Sequence, residues 1–227
     1  MNENFVSAVI VAAGSSRRMG GINKLLLTLL GKTVLERTVE AFDKNEKVNE
    51  IVLAARAEDI EEYKALLSQY KKVKCIVQGG ETRQKSVAAA VSVCDEKCTL
   101  LAVHDGARPL VSQKIINDTV SAALDCGAAA CAVEVKDTIK IIDGNSFITD
   151  TPERATLRAV HTPQCFDKKL YLDCIEQLGE AARDMTDDCR LAELCGKKVK
   201  IVASSYTNIK ITTAEDIPFA ESILKGE

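Results

Sequence analysis

Residues 11–24 read VAAGSSRRMGGINK and follow directly on an apolar run, Phe5–Ala12, that has the composition of a buried strand. Ala12, Ala13 and Gly14 are small enough for the backbone to approach a ligand closely, and Arg17, Arg18 and Lys24 follow them as fixed positive charges. This combination suits a nucleoside triphosphate, which needs exposed N–H groups for its phosphate oxygens and cations for its charge. The spacing is neither the G-x-G-x-x-G of a dinucleotide fold nor the G-x-x-x-x-G-K-[ST] of a P-loop. Taken alone, the stretch is equally an ordinary strand-to-helix loop carrying a solvated basic patch.

Three further clusters follow apolar runs. After Lys74–Val77 comes GGETRQKSV, in which paired glycines relax a turn, Thr82 is placed to cap a helix, and Arg83 and Ser86 face back toward the strand end. In isolation that is often only a turn. After Thr99–Val103 comes HDGARPL. An aspartate at a strand end, flanked by Gly106 for close approach and by Arg108, suits a hard cation; the competing reading makes Asp105 the cap of a turn closed by Pro109. His104 reads as a packing or backbone-bonding histidine rather than a general base. NIKIT (208–212) puts Lys210 near the same edge, where a lone lysine is ordinarily a solvated charge.

Alternating elements must position these clusters. Apolar, β-rich runs occur at Val6–Ala12, Glu50–Ala55, Lys74–Val77, Thr99–Val103, Ala128–Val135 and Val199–Ala203. Helical patterns lie among them at Thr33–Phe42, Ala57–Tyr70, Thr82–Cys94, Ser112–Cys126, Lys168–Leu178, Asp187–Leu194 and Ala214–Leu224. Strands joined through helices require crossover connections, so an α/β fold with a mostly parallel sheet covered on both faces is expected. Ligands in such sheets sit at the carboxyl ends of the strands, which is where the clusters fall. One segment breaks the alternation. Asp143-Gly144-Asn145 is a hairpin turn between KII and SFIT, and Asp137–His161 reads as an antiparallel arm with too little core to stand alone, expected to pack on a partner subunit.

Composition bounds the rest. The 227 residues are 46% hydrophobic and 28% charged, which describes a globular chain of one domain spanning 1–227. A chain of this size buries roughly 70% of its unfolded surface. The net charge of −3 argues against a nucleic-acid partner. No apolar run is long enough to span a bilayer and no basic region precedes the first apolar stretch, so no membrane association and a cytoplasmic location are expected. Nine cysteines without a C-x-x-C, beside only two histidines, fit free thiols better than disulfides or a zinc site.

In order and spacing, AAG-x3-RMG-x3-K, GG-x2-R-x2-SV, HDGARP, DTIK, TPQ-x-F and NIKIT resemble the 2-C-methyl-D-erythritol 4-phosphate cytidylyltransferases of the non-mevalonate isoprenoid pathway, over nearly the whole chain. The resemblance implies a Rossmann-like nucleotidyltransferase fold whose protruding β-arm makes a homodimer. It also implies a reaction joining CTP and methylerythritol phosphate, with Mg²⁺, into a cytidine diphosphate ester plus pyrophosphate. Carried over residue by residue, Ala12, Ala13 and Gly14 resemble the CTP cradle, and Arg18 and Lys24 the phosphate-binding cations. Gly80, Glu81 and Ser86 resemble the cytosine- and ribose-reading group, and Asp105 the magnesium ligand. Arg108, Thr138, Arg154, Thr162 and Lys210 resemble the sugar-phosphate and catalytic-support positions, with Thr138 and Arg154 reaching the site from the partner's arm.

The chain departs from the family pattern at Ser16, where a second glycine is common, at Leu25 within Asn23-Lys24-Leu25, and at Ser204-Ser205, where relatives carry Gly-Asp. The alternative within the same chemistry is a pentitol-phosphate (ribitol 5-phosphate) cytidylyltransferase; DTIK with Arg154 favours methylerythritol phosphate. A sugar-nucleotide synthase would share only the first loop and the strand-end aspartate. A non-catalytic nucleotide-binding domain would not need Arg18, Lys24 and Asp105 together. The length leaves no room for a fused second enzyme.

Overall fold

The computed structural model describes residues 4–14, 23–179, 185 and 187–226. The chain builds a seven-stranded sheet from β1 (Val6–Ala12), β4 (Glu50–Ala55), β5 (Val73–Gln78), β6 (Leu100–Asp105), β7 (Ala128–Glu134), β10 (Arg158–Asp167) and β11 (Lys200–Ala203), in the order β11-β7-β10-β6-β1-β4-β5. All neighbouring pairs are parallel except those of β10, which runs antiparallel to both β6 and β7. Short pairs β2 (Thr28–Leu29) with β3 (Lys32–Thr33), and β8 (Ile141–Ile142) with β9 (Ile148–Asp150), lie outside this sheet.

Strand side chains alternate between faces, and the core divides accordingly. Ala8, Ile10 and Ala12 of β1 pack with α1 (Val34–Asp43), α2 (Ile60–Leu67), α4 (Gln113–Cys126) and α7 (Asp216–Lys225) through Leu35, Phe42, Leu67, Ile116 and Ala220. On the other face, Val9 packs with α3 (Arg83–Val91), α5 (Lys168–Leu178) and α6 (Cys189–Leu194) through Val87, Val91, Tyr171 and Leu191. Among the described residues, α1, α3, α4 and α5 begin where side chains cap them. Thr33 and Glu36 form a reciprocal capping box on α1, Ser112 accepts from Ile115 N at the start of α4, and Gly127 ends α4 at φ 86°. Thr82 caps α3 as its position suggested, and Thr33 and Ser112, read as helical, are also caps. The helix expected over Ala57–Tyr70 is shorter, Ile60–Leu67 after one 3₁₀ turn, Ala57–Asp59.

The principal difference from the sequence reading is β10. Residues through His161 were expected to belong to the arm, yet Arg158–Asp167 is a sheet strand whose segment Thr162–Phe166 is buried. Pro163 hid it, because a proline argues against a central strand. The register with β7 shifts between Val160 and Gln164, so the proline falls at an irregularity where its missing N–H costs no ladder bond. The remaining arm residues include the short hairpin pair β8 and β9. Ile142 faces Ile148 across the hairpin, and Asp143 closes the turn by accepting from Asn145 N and Phe147 N, each at 2.9 Å. Its apolar side chains are open to solvent in a single chain, Phe147 at 71% and Ile148 at 63% exposure. All nine cysteines are free thiols, and only Cys126 is exposed.

Candidate active site

Four strand ends and one turn converge on a cleft of about 560 Å³. β1 delivers Ala12, Ala13 and Gly14 to its wall; β5 leads into Gly80, Glu81 and Thr82, with Arg83 and Ser86 from the first turns of α3. β6 ends on Asp105, and the segment after β11 contributes Lys210 and Thr212. Lys24 and Leu25 enter from a 3₁₀ turn capped by Asn23, whose Oδ1 accepts from Leu25 N. β1 lies between β4 and β6 at the place where the strand order reverses, the usual ligand position of an open α/β sheet. The glycine pair is sterically required: a Cβ on Gly79 would sit 2.5 Å from Ala13 Cβ, and one on Gly80 would collide with Lys85. Ser86 Oγ accepts from Gly80 N at 3.1 Å and so holds that loop against α3. Gly14 faces open space, which leaves its backbone accessible from the cleft.

Asp105 is the electrostatic centre. Lys210 Nζ lies 2.9 Å from its Oδ2, Arg108 Nε 3.4 Å from the same oxygen, and Arg83 Nε 3.8 Å from Oδ1. Burial alone would raise the pKa of this carboxyl, but Lys210, Arg83 and Arg108 together hold it well below the ordinary carboxylate range. An ionised carboxylate therefore faces the cleft, surrounded by cations. Among the described residues no group of three or more His, Cys, Asp or Glu side chains forms a metal cage.

Behind Asp105 a hydrogen-bonded chain fixes the strand end. Thr162 Oγ1 accepts from Asp105 N at 3.0 Å, so its own proton is available to His104 Nδ1, also at 3.0 Å. Nε2 of His104 then carries the remaining proton and donates to the carbonyl of Arg108 at 3.2 Å. Burial, the largest influence on this ring, pushes the His104 pKa down to about 3 and so keeps it neutral in this arrangement. His161, against Ser204 Oγ at 3.1 Å, is likewise lowered by burial, then by Arg108, to about 4. His104 is thus a packing and backbone-bonding residue, as the sequence suggested.

The predicted site residues divide into three groups. Ala12, Ala13, Gly14, Lys24, Gly80, Glu81, Ser86, Asp105 and Lys210 all line the cleft. Arg108 and Thr162 are buried beneath it, Arg108 with Nη1 donating to Asn208 O at 2.8 Å, so they support Asp105 rather than line the wall. Thr138 and Arg154 lie on the exposed arm, where Arg154 Nη1 donates to Lys136 O, and they do not line the cleft of their own chain. Arg18, and the departure at Ser16, lie outside the described residues. Arg83 is the addition. It was placed facing the strand end but given no role, and its pairing with Asp105 depends on a chain separation that spacing does not reveal.

A mostly parallel sheet with a cationic cleft of about 560 Å³ at its topological switch point has the framework of a nucleotide-handling α/β enzyme. The family model described as 2-C-methyl-D-erythritol 4-phosphate cytidylyltransferase matches residues 6–226, and the chain belongs to that family. A relative of that name from Caldanaerobacter subterraneus subsp. tengcongensis is 46% identical over 224 residues, covering 97% of this chain and 99% of the relative. One from Microcystis aeruginosa is 43% identical over 219 residues, covering 95% and 97%. The crystal structure of a 4-diphosphocytidyl-2C-methyl-D-erythritol synthase from Anaerococcus prevotii superposes with a TM-score of 0.88 at 36% identity, covering 98% of this chain and 96% of that one. These findings do not favour the ribitol-phosphate alternative.

Two stability predictions follow from the buried chain. Thr162→Val leaves His104 Nδ1 and Asp105 N–H without partners, so urea unfolding should show a loss of about 1–3 kcal/mol, largely restored in Thr162→Ser; a valine variant as stable as the native protein would deny the hydroxyl this role. The histidines add a pH dependence. Their folded pKa values, about 3 and about 4, lie below the ordinary 6.5, so the unfolded chain binds protons that the native one does not. Stability is therefore complete above pH 6.5 and is lost as pH falls toward those folded values, by at most about 2 kcal/mol per histidine at pH 5. Urea midpoints that stay constant between pH 7 and pH 5 would contradict neutral native histidines.

Proposed function

We propose that this chain transfers the cytidylyl group of CTP to 2-C-methyl-D-erythritol 4-phosphate, giving 4-diphosphocytidyl-2-C-methyl-D-erythritol and pyrophosphate. The observation that carries the reading is the cleft itself, where Lys24, Arg83 and Lys210 stand around a small-residue cradle at the ends of β1 and β6. A phosphate oxygen of the polyol phosphate attacks the α-phosphorus of CTP in line. The new P–O bond forms as the bond to the β-phosphate oxygen breaks, and pyrophosphate departs with that electron pair. Because the nucleophile is already an anion, no general base is needed, and His104, neutral and doubly bonded, serves none. Negative charge builds on the equatorial and leaving oxygens, so catalysis is positioning plus cationic stabilisation. Gly14 and the Gly80–Glu81 loop, held by Ser86, would receive the nucleotide, and Lys24 and Lys210 would face its phosphates.

The donor chemistry fits Mg²⁺. The ion typically uses one or two carboxylates and takes the rest of its shell from substrate phosphates and water, and Asp105 is one ionised carboxylate facing the cleft. When bound there, Mg²⁺ supplies charge neutralisation to the triphosphate. Lys210 Nζ lies 2.9 Å from Asp105 Oδ2, so a bound Mg²⁺ would share that carboxylate with the lysine.

The arm supplies the second half of the reading. Ile139, Ile141, Ile142, Phe147 and Ile148 are all exposed on it, and a two-stranded ribbon cannot bury them by itself. A second copy of the chain covers them in a symmetric dimer, with Thr138 and Arg154 of each arm brought to the other subunit's cleft.

Three assays test the reading. Pyrophosphate release is measured with each of the four ribonucleoside triphosphates against methylerythritol phosphate and ribitol 5-phosphate. CTP with methylerythritol phosphate should give the highest kcat/KM by a wide margin, Lys24→Ala should lower kcat roughly 10²–10³-fold, and preference for another pair would reject the assignment. Asp105→Asn keeps the shape and removes the charge, so activity should drop about 10²-fold and recover in part at raised Mg²⁺; full activity at low Mg²⁺ would leave Asp105 a turn residue. Mixing inactive Lys24→Ala with inactive Arg154→Ala chains should restore activity, because a heterodimer holds one intact site. A mixture that stays inactive after demonstrated subunit exchange, or a chain that sediments as a monomer, would refute the shared site.

A further inference from the structure

Asp188 lies far from the cleft in sequence and is fully buried, yet it is tied to the cleft through one side chain. Arg83 Nη1 donates to its Oδ2, and Tyr171 Oη donates to its Oδ1 at 2.7 Å. Its backbone N–H is taken by Gln164 Oε1 at 3.0 Å. It stands at the N-cap position of α6, where an aspartate normally accepts from the first turn, but its side chain makes no capping bond. Asp187 accepts from Arg190 N instead. The carboxylate is thus committed to Arg83 and Tyr171. Burying it for stability alone has little to recommend it, since a buried ion pair commonly does no better than apolar residues of similar volume.

The geometry around Arg83 gives the carboxylate a purpose. The guanidinium is held between two acids: its Nη1 is bonded to Asp188, while its Nε stops 3.8 Å from Asp105 Oδ1, beyond hydrogen-bond reach. Without the inner acid, the nearest anion available to Arg83 is Asp105. Closing on it would turn the 3.8 Å approach into direct contact with a carboxylate that Lys210 and Arg108 already contact, and would shift the guanidinium from its present place on the cleft wall. We propose that Asp188 is a positioning residue: by anchoring Arg83 from inside the protein it fixes that cation on the cleft wall, near Asp105 but short of contact with it. The inference rests on the nucleotide reading of the cleft, because Arg83 lines the same wall as Gly80, Glu81 and Ser86. Tyr171 of α5 and Gln164 of β10 orient Asp188, which makes the sheet and α5 part of the support.

The test is a double-mutant cycle on the full-length protein, comparing the native chain, Asp188→Asn, Arg83→Gln and the double variant. Each is measured for the KM of CTP, the KM of the polyol phosphate, kcat and the unfolding midpoint. Asp188→Asn should raise the KM of CTP about tenfold with the other substrate's KM unchanged, and should add nothing in the Arg83→Gln background. Independent, multiplying losses, or an unchanged KM for CTP, would overturn the proposal. If Asp188→Asn does not fold, Tyr171→Phe removes one bond from the same carboxylate without removing charge. It should raise the KM of CTP a few-fold only when Arg83 is present, and an unchanged KM rejects the proposal. Calorimetric binding of CTP to the same proteins, without the second substrate, separates the two readings. Coupled CTP affinities in a protein that releases no pyrophosphate would reject the proposed reaction while upholding the role of Asp188.

Discussion

The structure around the cleft depends on keeping one carboxylate ionised at the end of a buried strand. Asp105 lies almost wholly out of solvent, where an isolated carboxylate would take up a proton rather than remain charged. Three cations from three separate segments prevent that: Arg83 from α3, Arg108 from the loop after β6, and Lys210 from the segment after β11. Two of these cations have anchors of their own. Arg83 has Asp188, and Arg108 has the carbonyl of Asn208. Asn208 in turn donates to the carbonyl of Thr162, whose hydroxyl accepts the N–H of Asp105. The circuit closes on itself, so strands far apart in sequence are held in register by the charge they share.

This arrangement also explains why β10 must cross the sheet antiparallel between β6 and β7. Only a strand beside β6 can put Thr162 next to Asp105 and Gln164 next to Asp188. The irregular register around Pro163 lets the same strand leave the sheet toward the arm. One segment thus carries both the support of the carboxylate and the base of the hairpin proposed to reach a second subunit. Because the arm's own ladder is so short, its geometry in a dimer would be set by the partner's surface more than by internal hydrogen bonds.

What the sequence made legible were the features written locally. Long apolar runs gave the parallel strands, Thr33, Thr82 and Ser112 marked helix starts to within a residue, and the Asp-Gly-Asn turn gave the hairpin. The rule that strand ends carry the chemistry located the clusters, and the resemblance to the family named the individual residues from Ala12 to Lys210. The supporting shell was not legible in the same way. Arg108 and Thr162 were placed at the substrate by the resemblance alone, and their burial follows only from the strand order that packs β10 on β6. Asp188 falls within the helical pattern Asp187–Leu194, where nothing local marks it as a partner of Arg83. Its partner is 105 residues away, and no periodic pattern encodes that distance.

The account rests on Asp105 being charged because of its neighbours, and that can be observed directly. Carbon NMR of the unliganded protein, with the aspartate carboxyl carbons labelled and the Asp105 signal assigned by its absence in Asp105→Asn, follows the carboxyl as pH is lowered through the range in which the chain stays folded. The account predicts no inflection at or above the ordinary value of 3.8, and an upward shift when Lys210 is replaced by alanine. An Asp105 signal that titrates at or above 3.8 in the native protein would contradict it.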